Sequence, residues 1–235
     1  MKAQDVITKR TVPVKLKVCG MGTSENVWEV ASLEPDYLGF IFYEGSPRNF
    51  KNKIPAISKE IKKIGVFVNA SEDFIIEKTL EYGLDAIQLH GGEDSGFCKN
   101  LKATLKSNGL ENTIEIIKVF SVKEEFDFSV LNEFEESADY FLFDTKGKYK
   151  GGNGIPFNWE IMKKYPSSTP FFLSGGIGIE EIGNLQELNI FFQQNGKPDV
   201  FYAIDVNSKF ETSPGVKDIK MLEKFNAEFK NKGNR

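Results

Sequence analysis

The chain has 235 residues, 40% of them hydrophobic and 27% charged, with a net charge of −4. That length supports one sizeable core. The acidic balance does not suggest nucleic-acid binding, so a small anionic substrate would need local positive charge. Two cysteines, Cys19 and Cys98, cannot build a disulfide framework and fit a reducing cytosol, and no apolar run approaches the ~18 residues of a membrane span.

Residues 1–13 carry charges but no apolar signal-peptide core, and read as a short extension, with a targeting arm as the alternative. Short runs rich in Val, Ile and Phe follow at 14–19, 37–42, 63–68, 86–90, 114–120, 140–144, 171–174 and 200–205. Continuous apolar runs of this kind suit strands covered on both faces. Longer polar segments with helical spacing separate them. In 71–82, Ile75, Ile76, Thr79 and Leu80 are expected to share a face, Ser71 to cap the N-terminus, and Glu72 and Asp73 to suit the dipole. Cys98 falls in a helix-like stretch and reads as core. The last helix is predicted over 216–230, with Ile219, Leu222, Phe225 and Phe229 buried.

Eight βα units spanning 14–235 predict a single-domain α/β fold, the (β/α)8 TIM barrel. A doubly wound sheet is the runner-up, but Gly20-Met21-Gly22-Thr23 lacks the third glycine of the dinucleotide fingerprint. In such a barrel the C-terminal strand ends line the active site, which here brings Cys19, Asn69, His90, Asp144, Ser174 and Asp205 together. Alternation points Lys17 the same way as Cys19, and Gln88 the same way as His90. Cys19 and Asp144 put a thiol and a carboxyl at two strand tips, where they can face one cavity as a base and an acid that need no cofactor; a small buried hydrophobe is the alternative reading of the cysteine.

Two loops look built for phosphate, with ordinary tight turns as the alternative: Ser174-Gly175-Gly176-Ile177-Gly178 after the seventh strand and Asp205-Val206-Asn207-Ser208 after the eighth. Glycines let backbone N–H groups approach an anion, and these two loops form the usual phosphate site of this barrel. The loop after Asp144, with Lys146, Lys148 and Lys150 among four glycines, is either a mobile cover that attracts anions or a solvated surface loop. His90 reads as a pocket residue, and one histidine among scattered carboxylates gives no convincing metal set. Asp205 either contacts the sugar or ties down its loop. Arg48 is either a solvated charge or a guanidinium fork for a carboxylate.

Taken in order, these stretches resemble the phosphoribosylanthranilate isomerase family of tryptophan biosynthesis. They are Lys17-Val18-Cys19-Gly20-Met21, Gly39-Phe40-Ile41-Phe42-Tyr43 with Ser46-Pro47-Arg48, Gly65-Val66-Phe67-Val68-Asn69 and Gln88-Leu89-His90-Gly91. Phe143-Asp144-Thr145-Lys146, Gly151-Gly152-Asn153-Gly154, Ser174-Gly175-Gly176 and Asp205-Val206 complete the set. The resemblance implies a cytoplasmic (β/α)8 enzyme performing an Amadori rearrangement on a phosphosugar, without cofactor or metal. It implies Cys19 as general base and Asp144 as general acid, the latter with a raised pKa in the substrate complex. It puts Arg48 near the anthranilate carboxylate and the Gly175-Gly176 and Ser208 loops around the phosphate; Gln88, His90 and Asp205 are further expected to bind substrate, and Gly154 and Asn207 the phosphate.

Lys209-Phe210-Glu211 departs from the family, which more often has glycine after the serine; Lys209 could add charge near a phosphate. The segment 189–197 looks longer than usual. A monomer is expected, because no interface stripe stands out. Another phosphosugar isomerase or epimerase on the same barrel, or a non-catalytic phosphate-ligand barrel, are the alternatives.

Overall fold

The computed structural model describes residues 13–110, 114–145 and 158–232. Eight of the apolar runs become strands: β1 (Lys15–Cys19), β2 (Tyr37–Ile41), β3 (Lys62–Phe67), β4 (Ala86–Leu89), β5 (Glu115–Val122), β6 (Tyr140–Thr145), β7 (Phe171–Leu173) and β8 (Phe201–Val206). They pair in chain order, all parallel. The register Lys17 to Asp205 joins β1 to β8 and closes the barrel. Each strand boundary lies within two residues of the sequence expectation.

The strands are apolar throughout because both faces meet core. Tyr37, Ile64, Ala86, Ile117, Val119, Leu142, Phe172 and Ala203 fill the barrel interior. Leu16, Val18, Phe40, Ile87, Phe141 and Ile204 belong to the larger cluster under the helices. At the N-terminal mouth the Lys15 ammonium donates to the Tyr202 hydroxyl (2.7 Å), which is linked to Tyr37 (2.7 Å) and Tyr140 (3.3 Å). That network seals the end opposite the cavity.

Five α-helices cover the outside: α1 (Ser24–Ala31), α2 (Glu72–Tyr82), α3 (Ser95–Ser107), α4 (Ile182–Gln194) and α5 (Ile219–Lys232). The layers are less regular than eight βα units imply. After β5 and β6 the described chain forms 3₁₀ turns, Phe128–Glu133 and Trp159–Lys164, and residues 42–61 join β2 to β3 without a helix. Pro47 and Pro55 explain the last case, since neither fits a helix interior. Phe50 anchors that loop, stacking edge-on against Phe40 at 4.9 Å.

Ser71 caps α2 as expected, accepting the Phe74 N–H at 3.3 Å. Ile75 and Thr79 are buried, but Leu80 is 60% exposed, a correction to the expected face. Five residues advance a helix by about 140° beyond a full turn, which carries Leu80 off the stripe centred on Ile75. Cys98 is buried in α3. The last helix starts at Ile219 rather than 216. Val216–Lys217 instead pairs with Glu211–Ser213 in a hairpin that turns at Gly215 (φ +86°). Leu222 and Phe225 are buried beneath α5, with Ile219 and Phe229 packed partly against the core. No described helix is long and apolar enough to cross a membrane.

Candidate active site

The C-terminal strand ends enclose a cleft that opens to solvent. Its wall includes Cys19 from β1, Gln88 and His90 from the end of β4, Asp144 from β6, Ser174, Gly175 and Gly176 after β7, and Asp205, Asn207, Ser208 and Lys209 from and after β8. The sequence therefore selected most of the wall. Asn69 is the exception among the strand-end residues. Its Oδ1 accepts the Gly92 N–H (2.7 Å) and its own N–H donates to Glu93 (2.7 Å), so it ties the loops after β3 and β4 together. Gly154 and the three lysines of its loop lie outside the described residues.

Cys19 and Gly39 face each other in register. The missing side chain at Gly39 makes room for the thiol, because a Cβ there would come within 2.7 Å of Sγ. Lys17, two residues back on the same face, is completely buried. Its ammonium donates to Gln88 Oε1 (2.5 Å) and to Asp205 Oδ2 (3.0 Å). Burial works against that charge, but Asp205 and then Cys19 outweigh it and hold Lys17 above its ordinary pKa. Burial pushes the Cys19 thiol up; Lys17 and Lys217 pull it back without cancelling the rise. Burial likewise raises Asp205, with Lys17 opposing.

The two readings of Asp205 divide between its oxygens. Oδ2 serves the Lys17 pair, while Oδ1 is buried and lacks a hydrogen-bond partner among the described residues. His90 Nε2 stands 3.5 Å from Asp144 Oδ2, and Asp144 Oδ1 accepts the N–H of Thr145 (2.9 Å). Gly175 (φ +91°) and Gly176 (φ +70°) hold left-handed backbone, and a side chain on Gly175 would collide with Thr145. That close approach requires glycine.

Arg48 is not part of the cleft wall. Its Nε (2.9 Å) and Nη2 (2.7 Å) donate to the two oxygens of Glu211, and Lys217 donates to Glu211 Oε1 (2.7 Å) and Asn207 Oδ1 (2.7 Å). Burial opposes the Glu211 charge, but Arg48 and Lys217 hold its carboxyl below the ordinary range. No hydrogen bond from Arg48 Nη1 occurs among the described residues. Sequence reasoning missed Glu211, Lys217 and Glu181. For the first two the available signal was Pro214-Gly215, a turn pair between them that marks a hairpin. Among the described residues no three His, Cys, Asp or Glu side chains are grouped to hold a metal ion.

A family model described as N-(5'phosphoribosyl)anthranilate (PRA) isomerase matches residues 16–228. The N-(5'-phosphoribosyl)anthranilate isomerase of Parabacteroides distasonis is 40% identical over 217 residues, covering 89% of this chain and 90% of its own. The fold resembles the crystal structure of phosphoribosyl anthranilate isomerase from Thermus thermophilus (TM-score 0.72, 23% identity, 93% of this chain and 99% of that one). It also resembles a phosphoribosyl anthranilate isomerase crystallised with reduced 1-(o-carboxyphenylamino)-1-deoxyribulose 5-phosphate (TM-score 0.69, 24% identity, 93% and 99%).

Proposed function

The chain belongs to the N-(5'-phosphoribosyl)anthranilate isomerase family, and from that premise we infer how its cleft carries the reaction. It is an isomerase of tryptophan biosynthesis that converts N-(5-phosphoribosyl)anthranilate into 1-(2-carboxyphenylamino)-1-deoxyribulose 5-phosphate. The observation that carries the residue assignment is the placement of Cys19 and Asp144 on strands from different sides of one closed barrel, in the wall of one cleft.

Asp144, as the carboxylic acid, gives its proton to the furanose ring oxygen. The C1–O bond breaks as the anilino nitrogen lone pair forms a C=N bond. The resulting iminium acidifies the C2 hydrogen, and the Cys19 thiolate removes it. The C–H electrons form C1=C2 and neutralise the nitrogen, giving an enolamine. Proton return to C1 and loss of the hydroxyl proton at C2 then give the ketone. The Lys17 ammonium beneath Cys19 favours the thiolate, and His90 orients the Asp144 carboxyl. The unpaired Asp205 Oδ1 accepts a sugar hydroxyl.

The test follows the fluorescence of the anthranilate group while substrate is generated in the cuvette without added metal. Wild-type protein is expected to speed the loss of signal, and Asp144→Ala to slow it by about 10²–10⁴-fold, the usual worth of a positioned acid. A folded Asp144→Ala protein with near-normal turnover would remove Asp144 from the mechanism. No enzyme-dependent change at all would direct attention to other phosphosugars.

Gly39→Ala tests the thiol's position independently. The new methyl sits against Sγ, so a loss of at least about tenfold in kcat is expected, with a stability cost of about 1–3 kcal/mol for the overpacking. Unchanged kinetics with an unchanged melt would mean that the site tolerates a displaced Cys19.

A further inference from the structure

The glycine loops supply backbone dipoles for a phosphate, but a dianion also needs net charge. Among the described residues of the cleft wall, Asp144 and Asp205 are carboxylates, and Lys209 carries the lone lysine or arginine charge. Lys209 lies in the 3₁₀ turn Ser208–Phe210, where the buried Phe210, packed on Phe225 at 5.0 Å, fixes the turn. Its stem runs against Gly178: a Cβ there would meet Lys209 Cδ at 2.8 Å. Its ammonium donates to Glu181 Oε1 at 2.9 Å, and Glu181 Oε2 accepts the Gly178 N–H at 2.7 Å. The Lys209 side chain keeps 28% exposure while that of Glu181 keeps 13%.

We propose that Lys209 is a ligand of the substrate phosphate, held between the loops after β7 and β8 by Glu181. An ammonium has three donors, and Glu181 engages one, so Lys209 can bridge carboxylate and phosphate without leaving its place. Without the lysine, a dianion would approach the Glu181 carboxylate directly. Lys209 therefore adds attraction and cancels a repulsion. This rests on the phosphosugar reading of the cleft.

The test compares binding of reduced 1-(o-carboxyphenylamino)-1-deoxyribulose 5-phosphate with that of its dephosphorylated counterpart, by calorimetry on the full chain. Wild-type protein must prefer the phosphorylated form; if it does not, the phosphosugar reading fails before Lys209 is in question. Lys209→Met is expected to shrink that preference by roughly ten- to a hundredfold. Adding Glu181→Gln to Lys209→Met should return part of it, and Glu181→Gln alone should leave it equal or larger. A latch with no phosphate contact gives the opposite pattern: Lys209→Met weakens both ligands alike, and Glu181→Gln alone reproduces the Lys209→Met loss. Either of those results overturns the proposal.

Discussion

Cys19→Ala is expected to reduce kcat/KM by about 10²–10⁴-fold while the protein keeps its fold. The thiol is 4% exposed and its neighbours Gly39 and Lys17 are held by backbone pairing and by Asp205, so losing one sulfur atom leaves the strand register intact. Cys19→Ser fills the space more fully and should be nearly as inactive, because an alcohol is a far poorer base than a thiolate. Turnover close to wild type in both variants, measured by the fluorescence assay, would move the base elsewhere. The pH profile gives a second reading. The competent acid–base pair holds one proton; activity falls on the alkaline side when that last proton leaves the site, and the buried Cys19 thiol sets where. Burial raises the thiol above its ordinary value of 9.0. The alkaline limb of kcat/KM is therefore expected above pH 9, and a limb near pH 8 would contradict the desolvated thiol.

Lys17→Met is expected to destabilise the fold by about 3–5 kcal/mol, the usual cost of leaving a buried charge without its partner. Asp205 would keep a desolvated carboxylate and Gln88 Oε1 would lose its donor. For a chain of this size the melting temperature should fall by about 6–20 °C. The double variant Lys17→Met, Asp205→Asn removes the orphaned charge and should regain much of that loss without regaining activity. A single variant melting within about 2 °C of wild type would mean that Asp205 takes up a proton at little cost. Buried ion pairs often add little net stability, so this large expected effect reflects the partner left behind.

The site was legible in the sequence wherever a residue's role follows from its place on its own strand. Cys19, Gln88, His90, Asp144 and Asp205 reach the cleft because alternation and the end of an apolar run put them there. Asn69 obeyed the same rule but fell outside the wall. Its left-handed backbone (φ +51°) and its bond to Gly92 turn it toward the neighbouring loop. Arg48 was expected to meet a carboxylate of the substrate, yet nothing local announced that its fork would be engaged by Glu211, 163 residues away.

The sequence by itself determined eight strands, their order and the polar rim at their ends. These depend on periodicity and on turn residues, which are properties of a few neighbouring positions. The tertiary structure decided the pairings: Lys17 with Asp205 across 188 residues, Arg48 and Lys217 on Glu211, and Lys209 on Glu181. It also decided that a hairpin, and not the start of a helix, carries Glu211 and Lys217 inward. The physical reason is barrel closure: joining β1 to β8 fixes which distant side chains share a dehydrated interior, and there a charge must find an opposite partner.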